Sequence, residues 1–301
     1  METVRYETDG RVARITLNRP ERGNGIVPRM PIEIAACVER ANLDPEVHVI
    51  ALAGAGTGFC GGYDLVASAE GEMSGLGGVE VPAGSPLDPL RIAANHIPET
   101  NWDPVTDFQF MWRNVRGFMS LFHSEKPVLC KVHGYCIAGG TDIALCTDLL
   151  VVATDAKIGY PPARVWGSPT TALWTAKVGP MRAKRMLLTG DSLSGEKAVE
   201  WGLATEAAPP EELDDCFEQL LERVARVPIN QLVMMKLLIN QSLYSQGLHQ
   251  TQLLGTFFDG IARHTEEGFE FLRDASEGFK EAVRKRDEPF GDHGPHAFGI
   301  E

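Results

Sequence analysis

The chain has 301 residues, of which 44% are hydrophobic and 23% charged, and its formal net charge is −13. A chain of this size can bury a large core as one domain or two modest ones, and the composition is that of an ordinary globular protein. The acidic balance argues against a nucleic-acid binder, which carries a basic face, but leaves room for a local basic patch that holds a phosphate-bearing ligand.

Met1-Glu2-Thr3-Val4-Arg5 opens the chain without a basic region leading into an apolar one, so no signal peptide is expected. No apolar run approaches the length of a membrane span. Residues 11 to 17 alternate as a half-buried strand, with Ala13, Ile15 and Leu17 on one face, and Asn18-Arg19-Pro20 ends it. From Met30 to Ala41, Ile34, Cys37, Val38 and Ala41 recur at helical spacing, and Asn42-Leu43-Asp44-Pro45 breaks the helix. Residues 47 to 53 are nearly all apolar, which predicts a strand covered on both faces. A glycine-rich corner follows, Gly54-Ala55-Gly56-Thr57-Gly58-Phe59-Cys60-Gly61-Gly62-Tyr63-Asp64-Leu65.

Residues 67 to 106 are the least regular stretch, and Met73 to Gly78 and Val81 to Pro86 read as mobile loop. This stretch contributes His96, Glu99, Trp102 and Asp103. Helical spacing returns from Phe108 to Phe122 and leads into a strand at 127 to 132. A second corner follows at Gly134, continues through Ala138-Gly139-Gly140-Thr141-Asp142 and becomes helical at Ile143, Ala144 and Leu145. Another buried strand is predicted at 148 to 153. Strand, corner, helix and strand thus recur at irregular intervals, which fits a spiral of β-β-α turns better than a doubly wound sheet.

From residue 181 the chain reads as almost wholly helical, over 181–188, 195–201, 211–227, 231–243, 250–264 and 265–286. Phe257, Phe258, Phe269, Phe271 and Leu272 give these helices more apolar surface than a lone layer can hide, which predicts subunit contacts. Residues 1–200 are therefore expected to form the spiral core with an insertion at about 67–106, 201–290 a helical region and 291–301 a flexible tail. Cys37, Cys60, Cys130, Cys136, Cys146 and Cys216 lack metal or disulfide-scaffold spacing and read as reduced core residues in a cytoplasmic protein.

Both corners end at a helix start, where N–H groups lack internal partners and the dipole adds partial positive charge. Gly139 and Gly140 let a ligand carbonyl approach such N–H groups without meeting a Cβ. A dinucleotide fingerprint is a poor match, since Gly54-Ala55-Gly56-Thr57-Gly58 fails G-x-G-x-x-G and lies far from the N-terminal strand. No metal-ligand spacing appears, and the glycine turns do not match a P-loop.

The two corners, Gly-Gly-Tyr-Asp-Leu and Ala-Gly-Gly-Thr-Asp-Ile, occur in order with Leu17-Asn18-Arg19-Pro20, Leu188-Thr189-Gly190 and Ala198 to Leu203. This series resembles the crotonase (enoyl-CoA hydratase/isomerase) superfamily over most of the chain. The resemblance implies an α/β crotonase-like spiral with a C-terminal helical oligomerisation region, assembled as a homotrimer or dimer of trimers. It implies an acyl-CoA thioester as substrate and no cofactor beyond the coenzyme A that the substrate carries. It places two oxyanion donors on the N–H groups of Tyr63 and Gly139, with Gly62 and Gly140 beside the substrate. The first family carboxylate falls on Asp142, one methylene shorter than the usual glutamate, and the second falls on Pro162, which cannot carry a proton.

Tyr160, Arg164 and Trp166 surround the Pro162 position and are candidates to shape or polarise an unusual acyl group. Glu99 or Asp103 could replace the missing partner. Where the family often has a lysine for the coenzyme A phosphates, Val66 and Ala67 stand here, so Arg19, Arg22 or a neighbouring subunit's Lys280 or Arg284 would serve. The resulting expectation is a hydratase or isomerase-like enzyme. Its alternatives are a catalytically weakened acyl-CoA-binding protein and a crotonase-fold enzyme with different chemistry.

Overall fold

The computed structural model describes residues 1–65 and 81–300. Strands β1 (Val4–Asp9) and β2 (Val12–Leu17) form an antiparallel hairpin. The remaining pairs are parallel: β2 with β3 (Val49–Gly54), β3 with β4 (Val128–Val132), β4 with β6 (Leu149–Ala153) and β6 with β9 (Glu206–Ala208). The sheet order is β1-β2-β3-β4-β6-β9. Alternation in β2 buries Ala13, Ile15 and Leu17, while β3 and β4, covered on both faces, bury nearly every residue. Ile15, Leu17, Ile50, Leu52 and Leu129 are fully buried, and burial of each contributes about 1.5–3 kcal/mol.

A second, smaller sheet holds β5 (Tyr135–Ile137), β7 (Lys157–Gly159) and β8 (Ser192–Leu193). Single bridges extend this layer from Cys136 to Cys60, and a further bridge joins Tyr63 to Ile26. Each of β2, β3, β4 and β6 is therefore followed by a short segment that pairs with its counterpart in the next turn. This repetition is the spiral that the order of strands and corners predicts. Helix α1 (Arg29–Leu43) closes the first turn, and α4 (Gly139–Leu145) leaves the third.

Helices α2 (Pro89–Asn95) and α3 (Pro104–His123) precede β4. At Gly117, α3 passes so close to α1 that an added Cβ would lie 2.4 Å from Pro31 Cβ. Helix α5 (Trp174–Leu187) is broken at Gly179, whose φ of 75° suits glycine, followed by Pro180. Then come α6 (Gly195–Glu200), α7 (Leu213–Ala225), α8 (Ile229–Ser245), α9 (Leu248–Ala262) and α10 (Glu266–Asp287).

Three expectations from the sequence need correction or division. The mobile loop expected at Met73 to Gly78 lies outside the described residues, but residues 81–106 include α2 and the start of α3, each capped by an aspartate. Asp88 accepts from the N–H of Leu90, and Asp103 from those of Val105 and Thr106. The region after 181 is not wholly helical, since β8 and β9 join the two sheets. Finally, the expected flexible tail at 291–301 is docked over its described residues. Ile300 N–H donates to Ser192 O, Lys157 Nζ donates to Gly294 O at 2.9 Å, and Asp292 is 1% exposed. Its glycines and proline suggest freedom, but long-range ion pairs decide its course.

Candidate active site

The two glycine corners are built against each other. Asn24, fully buried, clasps the first: its Oδ1 accepts from Arg19 N–H, and its Nδ2 donates to the carbonyls of Ala55, Gly58 and Phe59. The second corner then lies directly on the first. At Gly134, with φ of 59°, an added Cβ would sit 2.0 Å from Thr57 O. An added Cβ on Gly62 would lie 2.9 Å from Ala138 Cβ and 3.4 Å from Gly139 N, and one on Gly139 would lie 3.0 Å from the Tyr63 ring. Gly140 approaches Cys60 O just as closely, at 2.4 Å from an added Cβ.

Backbone direction follows from these pairings. Ile26 donates to Gly62 O and accepts from Asp64 N–H, the parallel pattern in which Tyr63 turns its own N–H away from Ile26. Ala138 holds φ of 54° and ψ of −123°, a sparsely populated conformation for a residue with a Cβ, and so sets the plane of the Gly139 peptide. Thr141 locks this bend by donating both its N–H and its hydroxyl to Ala138 O. Among the described residues, no acceptor takes the N–H of Tyr63 or of Gly139.

Asp142 lies in the first turn of α4 and is 2% exposed. Its Oδ1 accepts from Thr171 N–H at 3.0 Å and from Thr171 Oγ1 at 2.7 Å. Its Oδ2 is buried with no partner among the described residues. Burial pushes this carboxyl up to about 7, the Thr171 bonds pull it down, and the charge of Asp259 adds to the rise. A carboxyl so placed can hold or release a proton near neutrality through one free oxygen.

Around it stand Tyr63 and Tyr160, both phenols raised well above their ordinary value by burial and by the Asp142 charge. The Tyr63 hydroxyl and Thr170 Oγ1 are buried without a hydrogen bond of ordinary geometry among the described residues, although Asn114 stands near the phenol. Pro162 lies in a short 3-10 helix (Pro161–Arg164), where its carbonyl accepts from the N–H groups of Val165, Trp166 and Gly167. Trp166 packs on Phe271 of α10, with centroids 5.7 Å apart.

Arg164 has a different task from the one its sequence position suggests. Its guanidinium bonds Asp287 at 2.8 Å, Asp191 at 3.1 Å and Asp292 at 2.9 Å, its Nε donates to Thr189 O, and its side chain is 2% exposed. These bonds tie it to Asp191 and to the C-terminal tail. Glu99 is exposed, and Asp103 caps α3 and pairs with Arg91 at 2.8 Å. Arg19 bonds Gly25 O and pairs with Asp64 at 2.9 Å. Arg284 pairs with Glu281 and Glu288. The residues that sequence reasoning missed are Asn24, Thr171 and Asp259, none of which shares a local motif with the corners.

The family model "Enoyl-CoA hydratase/isomerase" matches residues 7–79 and 103–292. Among solved structures, an enoyl-CoA hydratase from Mycobacterium smegmatis is 53% identical, with a TM-score of 0.92 over 99% of this chain and 97% of that one. The 1,2-epoxyphenylacetyl-CoA isomerase of Escherichia coli (strain K12) is 28% identical over 291 residues, 94% of each protein. The (E)-benzylidenesuccinyl-CoA hydratase of Thauera aromatica is 29% identical over 226 residues, 74% of this chain and 76% of its own. With the spiral, the abutting glycine corners and these matches together, the chain belongs to the crotonase superfamily, as an enoyl-CoA hydratase/isomerase.

Proposed function

We propose that Asp142 is the only protein acid/base of this acyl-CoA-processing enzyme. In this reading it moves a proton at the α-carbon of a thioester whose carbonyl oxygen is held by the N–H groups of Tyr63 and Gly139. The observation that carries the reading is the state of Asp142: one oxygen fixed by Thr171, the other free, and the carboxyl raised to about 7. A single such group can take the α-proton and return it to another carbon of the same enolate, which is isomerisation. Hydration needs a second group to activate water, and Pro162 supplies none. The apposition of Gly62 with Gly139 N supports two convergent donors, the arrangement that stabilises charge developing on the thioester oxygen.

The coenzyme A of the substrate is the only cofactor this chemistry requires. Gly62, Gly140, Tyr160 and Trp166 remain candidates for the acyl pocket, and Arg19 or Arg22 for the phosphates. A homotrimer or dimer of trimers is part of the same reading, supported by the apolar side chains exposed on α8 and α9. So is the cytoplasm, supported by six cysteines that remain free.

The test is incubation with crotonyl-CoA, 3-butenoyl-CoA and phenylacetyl-CoA in deuterated water, following α-deuteration and water addition separately. The expected result is α-exchange or double-bond migration without water addition, abolished in Asp142→Asn. Water addition by the native enzyme, α-exchange that persists undiminished in Asp142→Asn, or tight binding with neither reaction would overturn the reading, the last outcome in favour of an acyl-CoA-binding protein.

A further inference from the structure

A second buried carboxylate stands behind Asp142, and it comes from a distant element. Asp259 of α9 accepts from Ser168 N–H through Oδ1 at 3.3 Å, and its Oδ2 pairs with Arg263 Nη1. Ser168 opens the four-residue segment whose last member, Thr171, holds Asp142 Oδ1. The segment 168–171 is therefore gripped at one end by Asp142 and at the other by Asp259. Two further residues on the same face of α9 press on it: Gln252 Nε2 donates to Thr171 O at 3.0 Å, and an added Cβ on Gly255 would lie 2.9 Å from Pro169 O. Positions 252, 255 and 259 fall on one stripe of a helix, so this face is built to hold the segment.

We propose that Asp259 is a positioning residue for the Asp142 acid/base: it holds the far end of the segment whose near end orients Asp142, and it stands as a negative charge behind that carboxylate. Burial raises the Asp259 carboxyl from its ordinary value, and the charge and hydrogen bond of Arg263 oppose that rise. Arg263 is shared with Asp107 of α3 at 2.7 Å, so one guanidinium serves two carboxylates and neither is fully neutralised. The other groups that face this pair of aspartates hold their protons or stand further off. Tyr63, Tyr160, Cys136 and Cys146 are kept neutral by burial, and His264, 3.8 Å from Asp107, turns its ring nitrogens to the carbonyls of Gly260 and Asn95. His96, beside His264, is held down by burial. The arrangement answers the loss at Pro162 in a specific way: the second carboxylate is present, but it tunes the first without reaching the substrate.

This inference rests on Asp142 being the acid/base, and the experiment separates the two. Aspartate carboxyls are labelled with 13C and titrated by NMR in the full-length protein, the Asp142 resonance being identified by its loss in Asp142→Asn. In Asp259→Asn, which keeps an acceptor for Ser168 but removes the charge, the Asp142 midpoint should fall by about one pH unit. The pH profile of α-exchange on phenylacetyl-CoA should move by the same amount, with KM changed less than about threefold. An unmoved midpoint in folded Asp259→Asn overturns the inference. If that variant does not fold, Asp107→Asn decides: it frees Arg263 to screen Asp259 fully, and should lower the midpoint by a smaller amount, whereas no change overturns the inference. An Asp142→Asn protein that keeps full exchange activity removes the proposed mechanism instead, whatever the titration gives.

Discussion

At the scale of single residues, Asp142 combines a favourable helix start with an unfavourable burial, and burial wins. Its folded value of about 7 lies above the ordinary aspartate value of 3.8, so the unfolded chain ionises first as pH rises. The sign follows: this carboxyl costs the fold nothing below about pH 4, and the cost grows as pH climbs through 7, reaching about 4 kcal/mol above it. Asp142→Asn should therefore raise the melting temperature at pH 8, match the native protein at pH 4, and lose about 10²- to 10⁴-fold in proton transfer. Native exchange should rise with pH through about 7, in the ionised, base-competent form; thermal melts and exchange rates across that window check both statements. Asp142 was legible in the sequence because Gly139-Gly140-Thr141-Asp142 is contiguous. Its environment was not: Thr171 reaches it from a later segment of the spiral and Asp259 stands on α9, and nothing in a run such as Ser168-Pro169-Thr170-Thr171 announces which carboxylate it caps. The bend at Ala138 was equally hidden, since alanine has no preference for positive φ and tertiary bonds alone impose it.

Elements with a clear period were read nearly to their ends, because burial and periodicity agree in them. The Phe108 to Phe122 pattern became α3, and the alternating 11–17 became β2. Short strands escaped: β5, β7, β8 and β9 have only two or three residues each, too few for any alternation to register. The C-terminal tail shows the same limit in another form. Its course is set by Arg164, Lys157, Arg185 and Arg286 meeting Asp191, Asp287 and Asp292, charges scattered over half the chain. Burial opposes ionisation of Asp287, and the Arg286 and Arg164 bonds overcome it and hold its carboxyl below the usual range. Removing the central cation leaves three buried carboxylates with one other cation each, Arg185 for Asp191, Arg286 for Asp287 and Lys157 for Asp292. Arg164→Met should therefore destabilise the fold by about 3–5 kcal/mol in denaturant titration. It should also release residues 291–300 to carboxypeptidase, while the native tail stays protected. Retained stability and an intact tail would mean that the bridge to Ile300, rather than the ion cluster, docks it.

Over the whole molecule, the spiral followed from the repeated strand and corner, but the outer surface says more about assembly than about the core. Helix α8 buries a single residue of its seventeen, Lys236, whose Nζ pairs with Asp148 at 2.8 Å and donates to the carbonyls of Leu121 and Lys126. A polar tether thus fixes the helix to the core while its apolar side chains face outward. Leu237 and Leu238 are each 67% exposed and Ile239 is 64% exposed, with Met234 and Met235 beside them and Phe257 and Phe258 on α9. Left in water, each large side chain forgoes about 1.5–3 kcal/mol of burial, and so many together exceed what a monomer ordinarily exposes. The proposed homomeric assembly would cover them at an interface over α8, since closed symmetry lets one patch repeat on every subunit. The double variant Leu237→Lys with Leu238→Lys should lower the assembly mass measured by sedimentation equilibrium, because each lysine at a repeated interface is buried once per subunit. Its monomer fold should persist, since neither side chain packs on the core. A native mass equal to one chain would remove the interface altogether, and a variant that assembles as the native protein does would place the subunit contact elsewhere.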